Sequence, residues 1–137
     1  LIAAAQRADV AEGDDLAMSL APGEGVFVNN TGAASTVTFV GEVKTGSSTV
    51  NLAADKYSII SSVVPQQLKL DAASGFPAAE GDSVSRYTGT SFLTDSIADG
   101  AWEGDSAGEA PTVQVGEAFF VRNAGAAAPW TRVFTVN

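Results

Sequence analysis

Cysteine and histidine are both absent from this chain of 137 residues. Without cysteine there is no disulfide and no thiol chemistry. Without histidine the commonest general base and metal ligand is missing, and the usual nucleophile–base pairs have no base. Positive charge is scarce: 7 Lys and Arg stand against 16 Asp and Glu, for a net charge of −9. Such a surface repels the phosphates of nucleic acid and of anionic lipid, and it favours solubility. No apolar run approaches the ~18 residues of a membrane-spanning helix. No P-loop, dinucleotide fingerprint or Gly-x-Ser-x-Gly elbow is present. Ser–Lys chemistry through Lys44, Lys56 or Lys69 has no motif behind it. An enzyme is therefore not expected.

Helical periodicity is nearly missing too. One short candidate remains in residues 1–10, where Ala3-Ala4-Ala5-Gln6-Arg7 has helix propensity. The first residue is Leu1 rather than Met, as expected of a chain from which a leader or a longer precursor has been removed. What the sequence does contain is short β-rich runs punctuated by Gly, Pro, Asn and Asp. Strands are expected at residues 16–20, 25–29, 35–43, 49–52, 57–64, 67–70, 83–87, 91–94, 112–115, 118–122 and 130–136. Many short strands with frequent turns predict an all-β fold, an antiparallel β-sandwich or barrel.

A segment occurs twice. Gly23-Glu24-Gly25-Val26-Phe27-Val28-Asn29-Asn30 is matched 93 residues later by Gly116-Glu117-Ala118-Phe119-Phe120-Val121-Arg122-Asn123. The same spacing pairs Gly32 with Gly125 and Thr38 with Thr131, while Glu12-Gly13-Asp14 precedes Glu103-Gly104-Asp105 by 91. The structural motif residues are Gly23, Glu24 and Phe27 with Gly116, Glu117 and Phe120. Each Gly is expected to make a tight turn and each Phe to anchor a sheet face. The following strands, 35–43 and 130–136, are expected to return as antiparallel hairpin partners. A repeat of this length makes residues 44–137 one complete unit and residues 1–43 the tail half of another, packed together as one globular body.

These residues resemble a family. Ala21-Pro22-Gly23-Glu24-Gly25-Val26-Phe27-Val28 and Thr36-Val37-Thr38-Phe39-Val40-Gly41-Glu42-Val43 are similar to a recurring segment of secreted bacterial proteins that carry tandem β-repeats and whose function is unknown. Residues 57–65, Gly75-Phe76-Pro77 with Glu80-Gly81-Asp82, and residues 115–121 through Trp130-Thr131-Arg132 follow the same pattern in the same order. The resemblance implies export and a repeat architecture, and it assigns no functional residue. The chain departs from the pattern by lacking the first half of the first unit.

Several side-chain groups are candidates for chemistry. Asp95, Asp99, Glu103 and Asp105 cluster in a Gly-containing stretch, with Asp9, Glu12, Asp14 and Asp15 as a partial counterpart. Oxygen ligands in a turn suit Ca²⁺, although the spacing is not that of an EF-hand. With 16 acids, a glycosidase-like carboxylate pair has no specificity as a signal. Asn29-Asn30-Thr31 is an N-glycosylation sequon, and the Ser/Thr-rich residues 45–49 are O-glycan candidates. Trp102, Trp130, Tyr57 and Tyr87 would stack on a sugar if exposed in a row, or fill a core if buried.

The surplus half unit leads to the functional expectation. Its strands lack partners, and open edges with an uncovered apolar face invite pairing. The expected protein is secreted or at the cell surface, structural, and self-assembling with its own copies into a filament or lattice by strand addition or head-to-tail packing. The alternative is an extracellular carbohydrate-binding or adhesive module.

Overall fold

A period of two governs the first strand. In Gly46–Leu52 (β1) buried Ser48, Val50 and Leu52 alternate with exposed neighbours, so one face turns inward. Eight further strands follow: Lys56–Ser61 (β2), Leu68–Lys69 (β3), Ser83–Tyr87 (β4), Phe92–Ala98 (β5), Ala101–Gly104 (β6), Thr112–Val113 (β7), Ala118–Asn123 (β8) and Ala128–Phe134 (β9). A 3₁₀ turn at Ala72–Ser74 is capped by the Asp71 carboxylate. These elements come from a computed structural model, which describes residues 20–34, 36 and 43–136. The helix candidate at 1–10, all but the last residue of the strand expected at 16–20, most of that at 35–43, and Asp9, Glu12, Asp14 and Asp15 lie outside the described residues.

Among the described residues every strand pairing is antiparallel. Five strands form one sheet in the order β2-β8-β4-β5-β6, while β1 pairs with β9 and β3 with β7. The all-β, antiparallel expectation therefore holds, and among the described residues no barrel closes. One core joins the three sheets: Val50 and Leu52 of β1, Ile60 of β2, Val84 of β4, Val113 of β7, Phe119 and Val121 of β8, and Trp130 of β9, with Leu70 and Phe76. Trp130 sits at its centre. Its Nε1 donates to the Ser74 carbonyl at 3.0 Å, and Phe76 and Phe119 meet its ring edge-on.

The expected hairpin between β8 and the strand after it does not form. Both edges of β8 are taken, one by β2 and the other by β4, so β9 has no free backbone there to pair with. A turn held by side chains carries the chain away: Asn123 Oδ1 accepts from Gly125 N and its Nδ2 donates to Ala126 O. The buried carboxylate of Asp82 accepts from Ala124 N at 2.8 Å. The chain then crosses to β1, where Trp130 turns inward opposite Val50. The other revision is β6. No strand is expected over residues 101–104, yet Asp99 and Gly100, with φ of 52° and 75°, make a two-residue turn that returns β6 along β5. On the surface, Lys69 hydrogen-bonds Glu109, and that bond with its charge holds the Glu109 carboxyl below its ordinary range.

Both Gly-Glu turns close in the same way. Gly23 and Gly116 have φ of 88° and 74°. Glu24 N donates to Ala21 O, and Ala21 N donates back to the Glu24 carboxylate at 2.9 Å. Glu117 N donates to Gln114 O, and Gln114 N donates to the Glu117 carboxylate at 2.7 Å. Asn30 closes the far end as Asn123 does, through Gly32 N and Ala33 O. Between these ends the segments differ. The second is β8, whereas the first pairs with β2 through Glu24, opposite Ile60, and no strand forms over residues 27–30. Of the strand expected at 25–29, Val26 is a bridge residue and residues 27–29 are not in a strand, while the Phe27 ring packs on Tyr87.

The two glycines carry different loads. A Cβ at Gly23 would lie 2.3 Å from Val50 Cγ2, whereas nothing lies within 4 Å of one at Gly116. Gly116→Ala should cost about 1–2 kcal/mol for the positive φ alone. Gly23→Ala should cost about 1–3 kcal/mol more from overpacking. Urea unfolding of the two variants checks the ranking, and equal losses would contradict it.

Candidate functional site

The five-stranded sheet has two faces set by alternation. Ile60, Phe119, Val121 and Val84 point into the core. Their neighbours point outward and line up across the strands. One row runs Tyr57, Arg122, Ser83, Ser96 and Glu103, from β2 to β6. The next holds Ile59, Phe120, Ser85 and Thr94. Beyond it Tyr87 pairs with Phe92.

These outward positions collect aromatic rings. Phe27 lies 5.1 Å from Tyr87, Tyr87 lies 5.0 Å from Phe92, and Phe92 lies 5.6 Å from Phe120, centroid to centroid. Phe27 and Phe92 are exposed, and Tyr57 is 70% exposed. Tyr57, Phe92 and Phe120 line an open depression of about 350 Å³ with Ser85 and Thr94, whose hydroxyls hydrogen-bond each other. Successive rings are inclined by 60°, 49° and 74°. The rings therefore make a continuous apolar ridge and not a flat strip of parallel faces. A surface like this loses free energy to water, at about 25 cal/mol per Å² of apolar area left exposed.

The four expected aromatics part company. Tyr57 and Tyr87 belong to this face. Trp130 is 0% exposed, and Trp102 packs against the core from the inner face. Phe27 and Phe120, picked out as motif residues, join the outer face, whereas Gly23, Glu24, Gly116 and Glu117 shape turns. Phe92, Ser85, Thr94 and Arg122 were not singled out from the sequence. The alternation of Phe92, Thr94 and Ser96 was the available signal, and it required knowing which side of the strand faces the core.

The acidic stretch does not converge. Asp95 points inward and is 1% exposed. Its carboxylate accepts from Ser106 N at 2.6 Å and from Ser106 Oγ at 2.9 Å, and it lies 3.5 Å from Arg86 Nη2. Asp105 accepts from Thr94 N at 2.7 Å. Asp99 is at the β5–β6 turn, where Glu80 receives the backbone N–H groups of Asp99 and Gly100. Glu103 stands on the outer face. Among the described residues no group of three or more acidic side chains is placed to hold a metal ion. The sequon residue Asn29 is exposed. Comparison with family models, with curated proteins and with solved structures returns no match for this chain.

Proposed function

We propose that this chain is a structural module of a secreted or cell-surface β protein, without catalysis, that associates with copies of itself. The exposed aromatic ridge on the outer sheet face carries the reading. Rings left in water on a paired, rigid sheet are suited to cover by another protein surface. The 93-residue spacing and the matching closure of the two Gly-Glu turns support a repeat of which the chain holds one complete unit and part of another.

A second reading, a carbohydrate-binding module, is favoured by the Ser85 and Thr94 hydroxyls beside Tyr57 in the depression. It is opposed by the mutual tilt of the rings, which denies a sugar ring the flat faces it stacks on. Light scattering over a wide concentration range separates the two. Average mass should climb with concentration for the native chain and fall back to monomer in Phe92→Ser. A constant monomer mass together with retardation on immobilised polysaccharide would move the assignment to the second reading.

A further inference from the structure

We propose that two copies of the chain meet through the outer faces of their five-stranded sheets, related by a twofold axis along the strands between β4 and β5, with Arg122 of each copy facing Glu103 of the other. The inference rests on the self-association reading and names its surface. Its basis is the row Tyr57, Arg122, Ser83, Ser96 and Glu103, whose members are successive cross-strand neighbours. The row is cationic on β8 and anionic on β6. With strands about 4.8 Å apart, these charges stand about 14 Å from each other, equidistant from the gap between β4 and β5. A twofold axis in that gap exchanges β8 with β6 and β4 with β5. It brings each cation over an anion.

The same operation serves the apolar part. Tyr87 of β4 and Phe92 of β5 are cross-strand partners, so the axis sets the Tyr87–Phe92 pair of each copy against that of the other, beside the Phe27 ring already packed on Tyr87. Ser85 and Thr94 are exchanged in the same way. One symmetry element thus satisfies the charged row and the aromatic row together, which is what an isologous contact requires. Chains of net charge −9 otherwise repel, so opposed charges at the rim select this arrangement over others. Asp55, the present companion of Arg122 at 3.4 Å, is itself 77% exposed, and an exposed pair of this kind contributes only about 0–1 kcal/mol. The face is about 19 Å across and about 17 Å along the strands, below the ~800 Å² per partner of a standard interface, so weak association, micromolar or above, is expected.

The test is sedimentation velocity of the full chain with two single variants, Arg122→Glu and Glu103→Arg. Each variant alone sets like charges against each other at both contacts and should associate at least about tenfold more weakly than the native chain. An equimolar mixture restores both contacts in the heterodimer and should regain native association. Both positions lie on the outer face, so the melting temperature should stay near the native value. A mixture as weak as its components, or single variants that associate like the native chain, would overturn this geometry while leaving self-association standing. A native chain that stays monomeric at every concentration would overturn both.

Discussion

Asp95→Ala should remove about 3–5 kcal/mol of folding stability, the range for breaking a buried ion pair by deleting one partner. Asp95 is 1% exposed, and its carboxylate accepts two hydrogen bonds and forms one ion pair. Ser106 gives its N–H and its hydroxyl, and Arg86 lies 3.5 Å away with a side chain 16% exposed. Arg86 in turn reaches the Thr112 carbonyl at 2.9 Å and the Ser106 hydroxyl at 3.0 Å. The cluster ties β4 and β5 to the loop that leads into β7. Without the carboxylate the guanidinium stays buried with no counter-charge, and its Nε already lacks a partner. The double replacement Asp95→Leu with Arg86→Met removes both charges and should recover most of the loss. Urea unfolding of the native chain, Asp95→Leu, Arg86→Met and the double variant measures the coupling. A loss below about 1 kcal/mol in Asp95→Ala, the level of a surface pair, would contradict this account.

Trp130→Ala should cost a similar amount, about 3–5 kcal/mol, by a different route. Here the loss is volume. Trp130 is 0% exposed and is packed by Phe76 at 5.3 Å and Phe119 at 6.1 Å. The Ser74 carbonyl keeps a donor after the substitution, because Arg132 Nη1 also reaches it at 2.9 Å. The penalty is therefore a cavity and lost ring contacts rather than an orphaned carbonyl. Melting temperature should fall by on the order of 10–20 °C for a chain of this size. Trp130→Phe keeps an aromatic ring between the two phenylalanines and should regain well over half of the loss. If Trp130→Phe proves as damaging as Trp130→Ala, the indole N–H bond carries the site and the packing argument fails.

The sequence disclosed the strands better than their partners. The strands expected at 49–52 and 118–122 lie inside the observed Gly46–Leu52 and Ala118–Asn123. Strands 83–87 and 91–94 are both expected, and their pairing with each other is shown by the structure alone. The partner of β8 could not be read locally, because it depended on β2 and β4 having filled both its edges. β6 escaped notice because its four residues include Gly104 and Glu103, which look like turn residues until β5 offers them an edge. The outer face was half legible. Aromatic residues announced themselves by type, but whether a ring is ridge or core depends on strand parity. Parity sent Trp130 and Trp102 inward and left Phe92 and Tyr57 in solvent. The acids illustrate the same limit. Spacing grouped Asp95, Asp99, Glu103 and Asp105, and alternate side-chain directions along β5 and β6 pulled them apart.

The placement of the two Gly-Glu segments has a geometric consequence. Both run antiparallel to β2, one on each of its edges, and so they run parallel to each other. A sideways shift of two strand spacings, about 9.6 Å, carries the first toward the second. At the level of Ile60, β2 is thus an interior strand: Gly23 and Gly25 take its backbone groups on one side and β8 on the other, so no ladder groups remain there to template another chain.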